Sequence, residues 1–530
     1  MKKLFSKDFF NHFRTYFANI LFPCLVFGAV TGGLSGAVIF GFLRLASLMS
    51  SVFSRVHSAV LADARLLPLF FGGLVLCAAA VSFFLKRCPS ARGGGIPSAI
   101  GFLRGLFSFS WLPTLFCTVV SAMVTYLCGV PLGSEGPCVQ IGTAIGRGVG
   151  NVGGEKHRAW DRYIMTGGAC AGFAAATFAP VTGIFFALEE AHKRFSPMIL
   201  MTAFSGVTFS MIVTKALSAA FGVSTVFLPL PDYSVPSTSF VWIAVAVGFG
   251  GAVVAALFCF LYKGIHEVVA CRLSRVPLFV RIAVIFLLVG AVGLFVPEVM
   301  GSGHSLIETV FEHPYALGIG ALCLILLWRV VLVLLANNVG VTGGMFIPTL
   351  AIGALYGVLT ARLCVALGVD SSYCSFLVLL GMLSFFAAVN RIPITTLVFA
   401  MEQLRGAEGI LFLCAAVFTS YLVMELFRVP AFCDVVLEKR TREEPPEGEY
   451  VDTKVTVTVM ENSFVVGKAV RDIFWPAGCR VLDVLPRDGG IFNDSINDGD
   501  QLRLRIRTSR AATTEQELCA LIGAQEILRL

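Results

Sequence analysis

Apolar residues follow two patterns along this chain. Up to about residue 438 they form long blocks, and beyond it they alternate with polar residues. The blocks 68–85, 233–262 and Ser371–Asn390 carry no charge and are long enough to span a bilayer as helices, which takes roughly 18 residues or more. Other apolar segments are shorter and broken by Gly and Pro, as in 343–348. A broken helix at membrane depth is tolerated only where it lines a protein-enclosed cavity. The pattern therefore predicts a transporter or channel rather than a single-span anchor.

The second pattern follows a polar, proline-bearing stretch, Glu438-Lys-Arg-Thr-Arg-Glu-Glu-Pro-Pro-Glu-Gly-Glu449, which reads as a linker. Residues 454–460, 478–485 and 501–507 then alternate as half-buried strands. Turn signals stand between them at Asp488-Gly-Gly490 and Asn497-Asp-Gly-Asp500, and 515–523 reads as a closing helix. The expected fold class is an α-helical polytopic membrane protein with inverted repeats and broken helices, plus a small soluble α+β C-terminal domain. The expected division is 1–438 for the transmembrane domain, 439–450 for the linker and 451–530 for the soluble domain.

Composition agrees. The 530 residues are 57% hydrophobic and 14% charged, with a mean hydropathy of +0.84, too apolar for a soluble protein of this size. The net charge of +7 is spread over loops and segment ends, so nucleic-acid binding is excluded as a reading. Lys2, Lys3, Lys7 and Arg14 precede the first apolar run and predict a cytoplasmic N-terminus. That run, 18–42, lacks a small-residue cleavage site and is read as a retained helix. The 16 cysteines contain no Cys-x-x-Cys pair and read as buried thiols, with neither disulfides nor a metal site nor any cofactor expected.

The candidate chemistry centres on Gly133-Ser134-Glu135-Gly136-Pro137. Pro137 suits the first turn of a following helix, and the glycines let bare backbone N–H groups face a cavity at its positive end. Glu135 is a tethered anion within reach of that place. An ionisable residue in a membrane segment costs roughly 2.5–3.5 kcal/mol and is a functional candidate by default, so Glu135 reads as a gate. The bland alternative is an acid that only complements the helix dipole.

The motif also repeats. Gly133-x-x-x-Pro137-x-x-x-Ile141-Gly142-x-x-x-Gly146 recurs as Gly344-x-x-x-Pro348-x-x-x-Ile352-Gly353-x-x-x-Gly357, offset throughout by 211 residues, from 133 to 344. Two halves of this kind are the signature of repeated transporter folds, in which half-helix N-termini meet near the midplane.

A third loop, Gly93-Gly94-Gly95-Ile96-Pro97, completes a series. Gly-x-Gly-Ile-Pro, Gly-x-Glu-Gly-Pro and Gly344-Met345-Phe346-Ile347-Pro348, in this order, resemble the three anion-binding motifs of the CLC family of chloride channels and proton-coupled antiporters. The runs 166–172 and 179–190, Gly301-Ser-Gly-His-Ser305 and Arg391-Ile-Pro-Ile-Thr-Thr396 resemble that family too, so the likeness covers nearly the whole membrane body. It implies a homodimer with one anion pathway per subunit, a proton-coupled chloride antiporter as the function, and Glu135 as the external gating glutamate that protonation releases. Chloride, protons and the lipid bilayer are the implied partners. The implied location is a bacterial inner membrane with the C-terminal domain in the cytoplasm.

Glu190 follows Glu189 and precedes His192, Lys193 and Arg194. By its residues alone it reads as a solvated helix end at a membrane edge. The resemblance reverses this, because the second Glu of Leu-Glu-Glu matches the internal proton-transfer glutamate of the antiporters. Acids at both Glu135 and Glu190 favour antiport.

Three departures stand out. Gly94 occupies the place of a Ser hydroxyl usual in the first loop, and Ser134 that of a common Arg or Lys. Near the end of the membrane body, alignment on the proline of Arg428-Val-Pro-Ala-Phe432-Cys433 puts Phe432 at the family's pore tyrosine, and a one-residue shift would put Cys433 there. Both side-chain donors to the central anion are then absent, leaving backbone N–H groups around Ile96, Met345 and Phe346. Chloride selectivity and tight coupling are both open on this reading.

The soluble tail resembles the TrkA-C (RCK C-terminal) module, on Val466-Gly-Lys-Ala-Val-Arg-Asp-Ile473, Pro486-Arg-Asp-Gly-Gly490 and Asn497-Asp-Gly-Asp-Gln-Leu502. The resemblance implies pairing as a dimer, with either a small nucleotide-type ligand or a plain structural role. Among rival functions, a passive voltage- or pH-gated chloride channel of the same architecture is the nearest, and a fluoride or other anion carrier is further off. An intramembrane enzyme has only Gly264-Ile-His266-Glu267-Val-Val-Ala270 in its favour, which lacks the second His of a metal motif. A potassium pathway lacks a filter sequence.

Overall fold

The computed structural model describes residues 17–152, 159–230, 232–403, 409–443, 449–461, 463–489, 492 and 495–523. The N-terminal basic residues and part of the turn at 488–490 lie outside these. The first half of the membrane body runs through α1 (Phe22–Ala62), α2 (Leu67–Arg87), α3 (Ile96–Leu103), α4 (Trp111–Leu127), α5 (Glu135–Val152), α6 (Asp161–Thr177), α7 (Pro180–Phe185) and α8 (Pro197–Ala220). The second runs through α9 (Val241–Cys271), α10 (Leu278–Phe295), α11 (His304–Glu312), α12 (Ile319–Val339), α13 (Phe346–Ala366), α14 (Cys374–Asn390), α15 (Pro393–Gln403), α16 (Ile410–Leu426) and α17 (Phe432–Glu443). Among the described residues, eight helices are long and apolar enough to cross a membrane. The first helix outruns its apolar block, because only Arg44 and Arg55 carry a fixed charge in its second half.

The repeated glycines are packing sites. A Cβ on Gly142 would lie 2.0 Å from the Gly168 carbonyl oxygen, so α5 and α6 touch backbone to backbone. The equivalent Gly353 and Gly357 would meet the Met382 and Val378 carbonyls of α14 at 2.7 and 2.4 Å. Small residues at this spacing are how apolar helices pack closely where burial from water gives no driving force. The correspondence continues past the motif at an offset of 213, from 178 to 391. Phe178 and Arg391 end α6 and α14 in the left-handed conformation, with φ of 53° and 60°, and Pro180 and Pro393 open the next helices.

The polar stretch after Glu438 was expected to be linker, yet α17 continues through it to Glu443. Lys439 and Arg440 keep it ordered by donating to the Asn338 carbonyl and the Ser98 hydroxyl of the membrane body. Beyond it, β1 (Val451–Thr458), β2 (Cys479–Leu485) and β3 (Gln501–Thr508) form an antiparallel sheet in the order β1-β3-β2. The alternation predicted from sequence is realised in Leu502, Leu504 and Ile506, which face Val455 and Val457 in a core closed by α18 (Ala511–Ile522). The tail docks on the membrane body through Phe474, whose ring lies 4.4 Å from that of Tyr163 and 4.6 Å from that of His192. Arg162 donates to the Trp475 carbonyl beside it at 2.8 Å.

Candidate anion and proton site

Three helices of the membrane body begin at one place. Gly95, with φ of 79°, adopts a backbone that side-chain-bearing residues avoid, and a Cβ there would sit 2.2 Å from the Gly136 carbonyl. A Cβ on Gly136 would in turn lie 1.8 Å from the Gly94 carbonyl and 2.8 Å from Gly344 Cα. Gly133 and Gly344 are joined by an antiparallel bridge. Gly93 donates to Gly340 at 3.1 Å and accepts from Gly343 at 3.3 Å. The three glycine motifs are thus one packed unit, and Pro97, Pro137 and Pro348 each fall in the first turn of the helix that leaves it. Converging helix N-termini present unsatisfied N–H groups and partial positive charge.

Beneath this unit lies a cavity of about 20 Å³, lined by Gly94, Ile96, Pro97, Glu190, Met345, Phe346, Phe386, Asn390, Phe432 and Cys433. That is room for one water-sized species. Six expected anion-site residues (Gly94, Ile96, Pro97, Met345, Phe346 and Phe432) line it, together with Glu190. Gly93, Gly95, Gly133, Ser134, Gly136, Pro137, Gly344, Ile347 and Pro348 belong to the same three motifs but do not line it.

Glu135 is fully buried. The Ser134 hydroxyl donates to its Oε1 at 3.3 Å, and Oε2 has no hydrogen-bond partner among the described residues. The backbone amides of Glu135 itself and of Ile347 face the carboxylate. A Cβ on Gly133 would meet Oε2 at 2.3 Å, so that glycine makes room for it.

Glu190 is buried as well, at 7% exposure, which overturns the reading of its residues as a solvated helix end. It lies on a π-helical turn, Phe186–Ala191, that continues α7, and such turns occur often at functional sites. The neighbouring acids do different work. Glu190 Oε1 accepts from the Cys433 thiol at 3.0 Å. Glu189 accepts from the Ile394 and Thr395 amides at 3.0 and 2.6 Å, capping α15. Arg104 holds the turn by donating to the Glu190 and Ala191 carbonyls at 3.0 and 2.8 Å. Phe432 and Cys433, the two candidates for the pore-tyrosine position, both line the cavity, and the thiol is turned to the acid.

A wider vestibule of about 900 Å³ reaches Gly94 from another side, with Arg92, Arg281, Lys439 and Arg440 on its walls. Asn337 stands where it meets Gly94. Sequence reading passed over that residue, as it did Arg104 and Glu402, which accepts from the Val181 and Thr182 amides at the start of α7. Asn337 and Arg104 sit outside every glycine motif, and only their position in space marks them.

The model of the voltage gated chloride channel family matches residues 72–425 of this chain. The chain belongs to the CLC family. Curated CLC relatives include the H(+)/Cl(-) exchange transporter ClcA of Vibrio parahaemolyticus, 28% identical over 79% of this chain and 90% of the relative. ClcA of Salmonella arizonae is 30% identical over 73% of this chain and 82% of the relative. Among solved CLC structures, a slow cyanobacterial Cl−/H+ antiporter superposes with a TM-score of 0.71 at 23% identity, covering 79% of this chain and 98% of that one. A CLC-type fluoride/proton antiporter superposes with a TM-score of 0.62 at 20% identity, covering 77% and 96%. The CLC fold expected from the three loops is therefore the fold observed, and the chain is a multi-pass membrane transport protein rather than an enzyme.

Proposed function

We propose that this CLC protein is a proton-coupled chloride antiporter, with Glu135 as the external gate and Glu190 as the internal proton-transfer group. The observation that carries the reading is two buried carboxylates on one packed unit of helix N-termini, Glu190 lining the small cavity and Glu135 lying against Gly133 and the Ile347 amide, neither of them in an ion pair of the described residues. A protein that only conducted anions would bear the cost of burying Glu190 without using it. The exchange activity of the ClcA relatives supports the same assignment.

In this reading, the ionised Glu135 competes with chloride for the backbone amides, and a proton delivered through Glu190 neutralises and releases it. Gly93, Gly94, Gly95, Ile96, Pro97, Gly344, Met345, Phe346, Ile347 and Pro348 form the anion-binding frame with Gly133, Ser134, Gly136 and Pro137, and Phe432 closes its inner side. The protein works as a homodimer in a bacterial inner membrane, with residues 451–530 as a cytoplasmic TrkA-C-like module. A cavity of about 610 Å³ between tail and membrane body, lined by Arg162, Phe474 and Arg510 among others, has the size of a small-ligand site and is the place for a nucleotide-type ligand.

The test is proton uptake by proteoliposomes holding a chloride gradient. Uphill proton movement that Glu135→Gln abolishes supports the proposal. Chloride efflux without any proton movement identifies a channel instead.

A further inference from the structure

Gly94 and Phe432 bring no side-chain hydrogen-bond donor to the small cavity that they line, and the fold supplies one from elsewhere. Asn337, in the last turn of α12, is 4% exposed. Its Oδ1 accepts from the Tyr262 hydroxyl at 3.2 Å, while its Nδ2 has no partner among the described residues. A buried N–H without an acceptor is costly and rare. This one points at the loop: a Cβ built on Gly94 would lie 3.3 Å from Nδ2. The amide therefore occupies the place beside Gly94, reached from a different helix.

We propose that Asn337 Nδ2 is the side-chain donor to the transported anion where it passes Gly94 between the vestibule and the inner cavity. The inference rests on the anion-pathway reading above and adds a residue to it. Gly94 lines both the vestibule and the inner cavity, and Asn337 lines the vestibule beside it. A small monovalent anion at that step meets an N–H left unsatisfied by the protein. Two contacts fix the aim of the amide. Tyr262, 1% exposed, donates to Oδ1 and so turns Nδ2 outward. Its ring is held edge-on against Phe432, with centroids 4.8 Å apart. The phenol absent from position 432 is thus present one layer back, where it orients a donor instead of being one. At Gly94 no Cβ presses against Nδ2.

The test compares wild type with Asn337→Asp, Asn337→Ala and Asn337→Ala/Gly94→Ser, each as full-length protein in detergent with chloride binding measured by calorimetry. Chloride efflux from proteoliposomes is measured in parallel. Asn337→Asp keeps an acceptor for Tyr262 but sets a negative charge against the anion, whereas Asn337→Ala removes the donor without adding charge and is the variant that isolates the N–H. The expected result is loss of chloride binding in Asn337→Asp and weakening by about tenfold or more in Asn337→Ala, the range for one hydrogen bond to a charged group. A Ser at 94 is expected to recover part of that loss. A wild type that moves chloride while Asn337→Asp binds it unchanged overturns the role of Asn337 and leaves the antiport reading standing. A wild type that neither binds nor moves chloride, fluoride or nitrate overturns both.

Discussion

Gly133 and Gly344 exchange both of their backbone hydrogen bonds, at 2.8 and 2.6 Å, as an antiparallel pair. These are equivalent positions of the internal repeat. Equivalent residues paired in this way are related by a local two-fold axis, so the two halves of the repeat face each other across this bridge. The helices that start beside it, α5 and α13, thereby direct their N-termini at one region. A second reciprocal contact obeys the same relation. Glu189 caps α15 through Ile394 and Thr395, and its counterpart Glu402 caps α7 through Val181 and Thr182, at 2.7 Å to each amide.

Gly136 has no room for a side chain. Gly136→Ala would drive a methyl group into the Gly94 carbonyl. The expected outcome is a destabilisation of about 1–3 kcal/mol with loss of anion flux, read as lower thermal stability in detergent and slower chloride efflux.

The two reciprocal caps are expected to be equivalent in energy. Glu189→Ala and Glu402→Ala should each destabilise the protein by about 1–2 kcal/mol, as loss of a helix cap does. Matched thermal shifts would support this; a shift confined to one variant would argue against the symmetry.

Glu190→Gln is expected to stop proton movement and leave chloride flux in place. Continued uphill proton transport by this variant would sink its assignment. Cys433→Ala removes only the thiol donor to Glu190 and should lower the proton-to-chloride ratio without abolishing it.

Arg329 is fully buried and donates to the carbonyls of Glu298, Val299, Gly301 and Ser302 at 2.5–3.3 Å. It gathers the loop before α11 by satisfying four acceptors at once. Arg329→Met would leave those acceptors unpaired, each at about 1–3 kcal/mol, so the variant is expected to yield little folded protein by gel filtration. Lys cannot reproduce the planar fork and should rescue only partly.

Lys468 provides a pH dependence in the tail. Its ammonium lies 3.9 Å from the centre of the Phe464 ring and 5.7 Å from that of Trp160, and burial lowers its pKa from the ordinary 10.5 to about 8. Between those values the unfolded chain binds the proton that the folded one has released. Stability therefore rises as pH goes from about 8 to 10.5 and is lowest below 8. Thermal unfolding followed by tryptophan fluorescence should show this rise, and Lys468→Met should remove it.

Much of this was legible in the chain. Uncharged blocks fixed the membrane helices because a bilayer demands length and apolarity. The three glycine-proline motifs marked the helix starts, since close backbone approach admits no side chain. Alternation at 501–507 gave a strand because one face of the sheet is buried. The linker expected at 439–450 begins inside α17, which runs to Glu443: its charges signal a linker by composition, but Lys439 and Arg440 are held by groups that only folding brings near.

The sequence by itself determined the membrane class, the repeat and the acid at Glu135, because those depend on local composition and spacing. Tertiary structure alone decided that Gly133 meets Gly344, that Glu190 is buried while Glu189 is a cap, and that Asn337 turns its amide toward Gly94. Each of these joins residues far apart in the chain, and neither propensity nor period carries information about such distant partners.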